Sequence, residues 1–559
     1  MKLETVTEKE TGVLIIGGGG VGLRAAIEAA KSGVPVTVIA KARIGYASNT
    51  SISGGAFAAA ARLREPDDSP EVHLRDTVVG GRFINNQRLA AVVTSHSPQQ
   101  VQDLQDFGVS LARRKDGSID SVPTPGHSYR RTVRTTHSAG PEFTLPMREY
   151  ALRAGVQFRE GITVSCLLEH DGAVVGAVGI DREGKIRIFP ARAVILATGG
   201  AGHLYRNNNN AGGITGDGYA LAYEMGLTLG DMEFVQFYPT ALGRLGRSNV
   251  LYETMVLYAG ARLRNALGED ILEKYGLRER AEITRDNVAR TIFREVAEGR
   301  GRDGGVIMDL TTGDRELGLK VLRAHPFPLP EDYEHLIVSP TVHFFMGGVK
   351  IDEQGKTERE GLWAAGEVTF GVHGANRLGS NSLAEVFAFG AIAGREAAAR
   401  AKAFNAAPEP DNRKKAEDAL RALAATTGLE NEREVRDELQ KLMWNYAGIV
   451  REAGGLKKAL ESLPVIAHTL VHAPSRNPQE LARKIETRHL LTVAEIICQA
   501  ALLRAESRGA HYRQDFPAED NRNWLRNILV TKQDDSMVLT PVAVDFPLVP
   551  PPEAGPAPA

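Results

Sequence analysis

Cysteine is scarce in this chain of 559 residues: Cys166 and Cys498 are its only two, far apart and outside any metal-type spacing. Such a pair encodes neither a zinc site nor a protein-held iron–sulfur cluster, and it suits a reducing compartment. Long apolar runs are missing too, since none approaches the roughly 18 residues that a membrane span needs. The opening stretch MKLETVTEKETG is charged and lacks the apolar core of a signal peptide, so a cytoplasmic location is expected. Neither sign of charge is in excess: 67 basic against 69 acidic residues leave a net charge of -2. That balance provides no electrostatic case for binding nucleic acid.

What is present is an ordinary globular composition, 43% hydrophobic and 24% charged, in a chain long enough for two to four structural units. The first stretch that carries chemistry is TGVLIIGGGGVGLRAAIEAAKSGVPVTVIAK. Val13 to Ile16 are a short apolar β run, and Gly17, Gly19 and Gly22 make a G-x-G-x-x-G turn that also contains Gly20. Leu23 to Ala30 are good helix formers ended by Gly33, and a second strand follows at Val36 to Ile39. In this βαβ context the glycines let the backbone approach a pyrophosphate at a helix N-terminus. The residue after the second strand is normally acidic, to hold a ribose hydroxyl, but here the chain reads Ala40-Lys41. Simple NAD binding is disfavoured by that change, and a second ribose contact is needed. Two later segments, AVILATGG at 193–200 with Ala197, Thr198 and Gly199 at its end, and GLWAAGE at 361–367, read as strands ending in small residues at a crevice. Glu367 is the candidate for the missing contact.

The densest polar stretch is HGANRLGSNSLAE, His373 to Glu385, which sets one fixed cation among glycines and short polar side chains. It stands in an ordered series: GGGGVGLRAA, SNTSISGGAFAAA at 48–60, ATGGAG at 197–202, QFYPT at 236–240, TRDNVAR at 284–290, SPTVHFFMGG at 339–348, AAGEVTFGVHGANRLGSNSLAE at 364–385 and SRGAHYRQDFP at 507–517. In content and order this series resembles the flavoprotein subunit of the succinate dehydrogenase and fumarate reductase family, which also contains L-aspartate oxidase and the adenylylsulfate reductase α subunit.

The resemblance implies an α/β fold, with a Rossmann-like FAD-binding domain, an inserted α+β capping domain and a C-terminal helical bundle. The expected boundaries are 1–235 and 346–405 for the two parts of the FAD-binding domain and 236–345 for the capping domain. A helical domain follows at 412–530, after a linker marked by Pro408 and Pro410, and a Pro-rich tail at 531–559. Turns at His170–Gly172 and Asp181–Gly184 predict a β meander leading into the strand at 193. Further cofactor contacts are implied at Lys41, Ser48, Asn49, Thr50, Gly54, Gly55 and Asp217, with Ser382 and Leu383 offering backbone donors to the flavin ring. Respiratory members attach FAD through a histidine where this chain has Asn49, so the cofactor is expected to be noncovalent.

A flavin working on a dicarboxylate needs the two carboxylates held and one proton managed. Arginine suits the first task because its planar fork pairs with a carboxylate and stays charged. The resemblance assigns carboxylate binding to Arg377 and His343, adds His127 on the substrate side, and gives the proton to Arg285, relayed through a nearby acid. From the residues alone His343 is the natural proton carrier, since a free imidazole titrates near 6.5. Two departures bear on the substrate. Tyr238 stands where relatives have a histidine, and in LYETMVLYAGARLRN the arginine and second glutamate of the relay are replaced by Leu257 and Ala259, with Glu253 one position from the expected acid. The implied substrate is a small dicarboxylate of the succinate or fumarate type. The implied partner is a separate iron–sulfur subunit that would hold the chain at the inner membrane without a span of its own. An aspartate-oxidase-like or adenylylsulfate-reductase-like activity is the alternative.

Overall fold

The computed structural model describes residues 3–243, 248–249, 253–277, 283–324, 331–426, 428 and 430–551, except for the side chains of 248, 249, 253, 254, 321 and 324. Thr11–Ile16, buried at all six positions, is the central strand of a parallel sheet. It lies between Val36–Ala40 and the second half of Ile186–Leu196, with Gln157–Glu160 and Leu362–Ala364 outside them. Burial on both faces is what a near-continuous apolar run requires of a parallel strand. The helix Gly20–Ala30 lies directly on Asn381–Ala403. A Cβ at Gly390 would stand 3.0 Å from that of Arg24, and one at Gly394 only 2.4 Å from the Ala25 carbonyl oxygen, so glycine sets how closely the two helices approach.

The meander is present: Thr163–His170, Ala173–Ile180 and the first half of Ile186–Leu196 pair antiparallel. The inserted region forms its own antiparallel sheet from Val235–Leu242, His335–Phe345, Val306–Asp309 and Arg262–Arg264, with the short Ser248–Asn249 at one edge. Val235 pairs with Phe345, so the chain enters and leaves the insertion side by side, on two adjacent strands. Four long helices, Arg413–Ala424, Glu432–Tyr446, Ala453–His472 and Pro478–Leu503, make up the bundle. The end of the chain differs from expectation. Arg526–Gln533 and Ser536–Ala543 form a hairpin that continues a sheet with Leu229–Gly230 and Gly348–Val349. The expected boundary at 530 cuts the first of these strands, and most of 531–543 is sheet rather than Pro-rich tail. Its alternation, with Ile528 and Val530 buried and their neighbours more exposed, is the period of a strand.

Arg504, fully buried, fastens the bundle to this sheet. Its Nε donates to Glu233 at 2.6 Å and its Nη1 to Glu506 at 3.1 Å, and Asp231 lies 3.7 Å from Nη2. Burial and then the neighbouring Glu233 carboxylate push the Asp231 carboxyl up to about 7. Removing one partner from a buried ionic group costs about 3–5 kcal/mol because the remaining charges are left without compensation. Arg504→Met is therefore expected to lower unfolding free energy by that amount in urea melts, whereas a loss under ~1 kcal/mol would show the cluster to be dispensable.

Candidate active site

A groove runs along the carboxyl ends of the parallel strands. Gly17, Gly18, Gly19, Asn49, Thr198, Gly199 and Ser382 are partly exposed there among buried neighbours. Close approaches join them: a Cβ at Gly17, where φ is 122°, would meet the Ala197 carbonyl oxygen at 2.1 Å, and one at Gly22 would meet the Gly17 oxygen at 1.9 Å. Only glycine fits either place. Thr50 Oγ1 accepts from the Gly20 amide at 3.2 Å, and Ser48 closes a turn with Ser51 beneath the glycines. Gly55 is required by the Ala139 backbone, 2.4 Å from its would-be Cβ, while Gly54 is exposed with open space beside it.

Two helices begin at this groove without a side-chain cap. One follows Gly19, and the other follows Ser380, held left-handed at φ 68°, so that Ser382 and Leu383 lie in its first turn. The amides of a first turn have no partner within their own helix and suit phosphate or polar ring oxygens. Thr198 Oγ1, at the strand end, is buried with no hydrogen-bond partner among the described residues. A long groove, glycine-lined at one end and amide-lined at the other, fits an extended dinucleotide such as FAD.

Asn49 and Glu367 are in direct contact beside the groove. Asn49 Nδ2 donates to Glu367 Oε2 at 3.1 Å and to Asn210 Oδ1 at 2.7 Å, and its Oδ1 accepts from the Ala211 amide at 3.0 Å. Glu367 Oε1 accepts from the Phe345 amide at 3.2 Å. Thus Glu367 sits with Asn49. The position following the second strand is occupied by Lys41, whose partners are Asp217, Glu486 and Thr215. Burial, only partly offset by the Asn49 and Phe345 bonds, pushes the Glu367 carboxyl up to about 7.

On the substrate side the motif loop meets the capping domain. Gln236, on the first strand of the insertion, grips Arg377 at both ends: its Oε1 accepts from Arg377 Nε at 3.1 Å, and its Nε2 donates to the Arg377 carbonyl at 2.9 Å and to Asn376 at 2.8 Å. Ser382 Oγ accepts from Arg377 Nη1 at 3.4 Å, and the Phe344 ring lies 4.8 Å from the guanidinium. His343, on the paired strand, has its Nδ1 against the Asn209 side-chain amide at 3.2 Å. Burial first, and then the charges of Arg377 and Arg285, hold His343 well below the usual imidazole range. The ring is therefore neutral at pH 7. Arg285, first residue of the capping helix Arg285–Ala297, stacks on Tyr238 at 5.1 Å, and Tyr238 lies 5.6 Å from the His343 ring. Tyr238 is thus part of the wall, in contact with the arginine expected to carry the proton.

His127 stands behind this group. Its Nε2 donates to the Gly379 carbonyl at 2.9 Å, and its Nδ1 accepts from Arg131 Nη1 at 3.3 Å. Burial is the main cause that holds its pKa down at about 4. It props the backbone at Gly379, where a Cβ would come within 3.8 Å of Arg285 Nη2. Asp286, the next residue after Arg285, is pushed upward by burial despite the nearby charges of Arg290, Arg82 and Arg285. Leu257 packs on the capping core and Ala259 is buried, so the altered relay positions are apolar. Glu253 begins the π-helical turn Glu253–Tyr258, but its side chain lies outside the described residues. Gln236, Asn209 and Asn210 are contacts that sequence reasoning misses. The run Asn207–Asn210 is a visible signal for two of them, four amides in a row being an unusual demand for hydrogen bonds.

Fold and site together define an FAD-dependent oxidoreductase with a capped substrate cleft. The FAD binding domain family matches residues 12–383, and the fumarate reductase flavoprotein C-terminal family matches 436–555. A fumarate reductase (CoM/CoB) chain of Methanothermobacter marburgensis is 36% identical, over 94% of this chain and 97% of its own. The Mycobacterium tuberculosis fumarate reductase flavoprotein subunit is 34% identical, over 94% and 95%. Among solved structures, a quinol–fumarate reductase chain with menaquinol superposes with a TM-score of 0.89 at 32% identity, covering 98% of this chain and 100% of that one. Adenylylsulfate reductase from Archaeoglobus fulgidus shares the fold, with a TM-score of 0.77 at 22% identity over 98% of both chains. The chain belongs to the fumarate reductase and succinate dehydrogenase flavoprotein family.

The Glu367 shift predicts a pH dependence. Its folded pKa, about 7, lies above the ordinary carboxyl value of 4.5, so the folded apoprotein binds the extra proton between these limits. Stability must fall as pH rises through that window. Glu367→Gln should remove this loss, raising the apoprotein melting temperature relative to wild type at pH 8 but not at pH 4.5. Equal differences at both pH values would show that Glu367 titrates normally.

Proposed function

We propose that this flavoprotein transfers hydride between noncovalently held FAD and a small dicarboxylate of the fumarate and succinate type, exchanging electrons with a separate iron–sulfur subunit. The observation that carries the reading is the meeting of Arg377, His343 and Arg285 at one place: His343 and Arg285 both lie against the Tyr238 ring, and, after burial, the charges of Arg377 and Arg285 hold His343 down. FAD, when bound, supplies or accepts the hydride. Arg377, immobilised by Gln236, pairs with one carboxylate at the amide-lined end of the groove. Neutral His343 orients the acid by a hydrogen bond rather than by charge. A neutral imidazole is a poor acid, and the family resemblance gives the proton role to Arg285, the first residue of the capping helix. A loaded cleft closed by the capping domain keeps water from the transferred hydride.

The noncovalent reading is supported by Asn49, which has an amide where a covalent tether would need an imidazole and which bonds Glu367, Asn210 and Ala211. The iron–sulfur partner is supported by the relatives named as fumarate reductase subunits and by the two isolated cysteines here. No helix of the described residues is long and apolar enough to cross a membrane, so peripheral attachment through partner subunits is the fitting arrangement.

The test is fumarate-dependent oxidation of reduced viologen by the purified flavoprotein. Arg285→Lys should retain FAD and lower kcat about 10²-fold or more, the range expected when a positioned proton donor is lost. Acid precipitation should leave the yellow cofactor in the supernatant. Lack of turnover with fumarate, succinate and aspartate, alone and with a co-expressed partner, would overturn the dicarboxylate reading.

A further inference from the structure

Lys41 stands at the carboxyl end of Val36–Ala40, where the ribose of a dinucleotide is normally contacted. Its ammonium has three donors and no acceptor. All three have protein partners: Asp217 Oδ2 at 2.7 Å, Glu486 Oε1 at 3.0 Å and Thr215 Oγ1 at 2.5 Å. Asp217 is equally occupied, its Oδ1 accepting from Thr215 Oγ1 at 2.9 Å and lying 3.1 Å from His489 Nδ1. The ammonium is therefore committed to joining parts of the protein. Two of its partners belong to the FAD-binding domain, and the third, Glu486, comes from the long bundle helix Pro478–Leu503.

That helix lays one face along the segment 213–217. Glu486 meets Lys41, His489 meets Asp217, and Val493 lies under Gly216, where a Cβ would be 2.9 Å from its Cγ2. The spacing 486, 489, 493 is that of a single helical stripe. Gly213 in turn covers the Lys41 side chain, its would-be Cβ being 3.5 Å from Cε. Glu486 is braced from its own domain by Arg436, whose Nη2 lies 3.1 Å from Oε2 and whose Nε donates to Thr487. The Lys41, Asp217 and Glu486 side chains are only 19%, 10% and 13% exposed, so their attraction is weakly screened.

We propose that Glu486, with His489 and Val493, latches the helical domain over the ribose end of the FAD groove and sets how fast the cofactor leaves. Glu486 acts through Lys41 and is a positioning residue. The inference rests on the noncovalent reading of FAD, for which such a closure replaces a covalent tether.

Acid precipitation comes first: flavin left on the chain would overturn the noncovalent reading and the latch with it. With flavin released, dissociation from the holoprotein is followed by the rise of flavin fluorescence after dilution. Glu486→Gln is expected to release FAD at least tenfold faster, with the gap in melting temperature between holoprotein and apoprotein narrowed. Glu486→Asp, which keeps the charge but shortens the reach by one methylene, should show a smaller change in the same direction. Lys41→Met combined with Glu486→Gln should release FAD no faster than Lys41→Met alone. The proposal is overturned by a release rate within twofold of wild type, by an apoprotein melting temperature that falls as far as that of the holoprotein, or by additive effects in the double variant.

Discussion

A guanidinium inside a protein has to be given oxygen acceptors, and at Arg377 that requirement organises the site. Gln236 meets it from the capping domain, accepting from Nε and at the same time bonding the Arg377 carbonyl and Asn376. One amide thereby ties the first strand of the insertion to the motif loop of the FAD-binding domain. The same strand brings Tyr238 under Arg285, and its partner strand brings His343 against the Tyr238 ring. The cleft is therefore defined by strand register: a slip of one residue would turn Gln236, Tyr238 and His343 to the opposite face.

The electrostatics follow from that geometry. Burial, and with it two guanidinium charges, make protonation of the His343 imidazole costly. Across the groove the sign is reversed: Glu367 is buried with an amide and a backbone N–H rather than a cation as its immediate partners, and its proton is held more tightly than usual. An acid that is partly neutral near pH 7 can donate as well as accept a hydrogen bond, which suits the side of a groove that must receive a hydroxyl-bearing chain.

Much of this is legible from residues because it depends on backbone shape. The glycine turn, the strand ends at 197–199 and the motif loop need small residues wherever another backbone approaches, and such needs leave local patterns. The meander is legible through its turns, and the insertion through the interruption of cofactor-like motifs. Contacts between distant segments leave little trace. Glu486 sits in an ordinary amphipathic helix, and nothing near it in sequence points to Lys41. The strand at 526–533 reads as the end of a helical domain because its alternation is short and lies beside a proline-rich end. Lys41 reads as a cofactor contact from its place after the second strand, and only the three-dimensional positions of its acceptors show where the ammonium goes.

The two sequence departures near the cleft have different physical weights. Replacing an imidazole by Tyr238 removes a charge-capable group but supplies a ring on which Arg285 stacks, and such a contact contributes most where water is excluded. At Leu257 and Ala259 the change is of another kind, since the side chains there are apolar and packed into or beside the capping core. The acid next to Arg285 in the chain, Asp286, has Arg290 and Arg82 nearby and a carboxyl that burial pushes upward. The anchor of Arg377 at Gln236 and the seat of Arg285 on Tyr238 are thus separate contacts made by one strand of the capping domain.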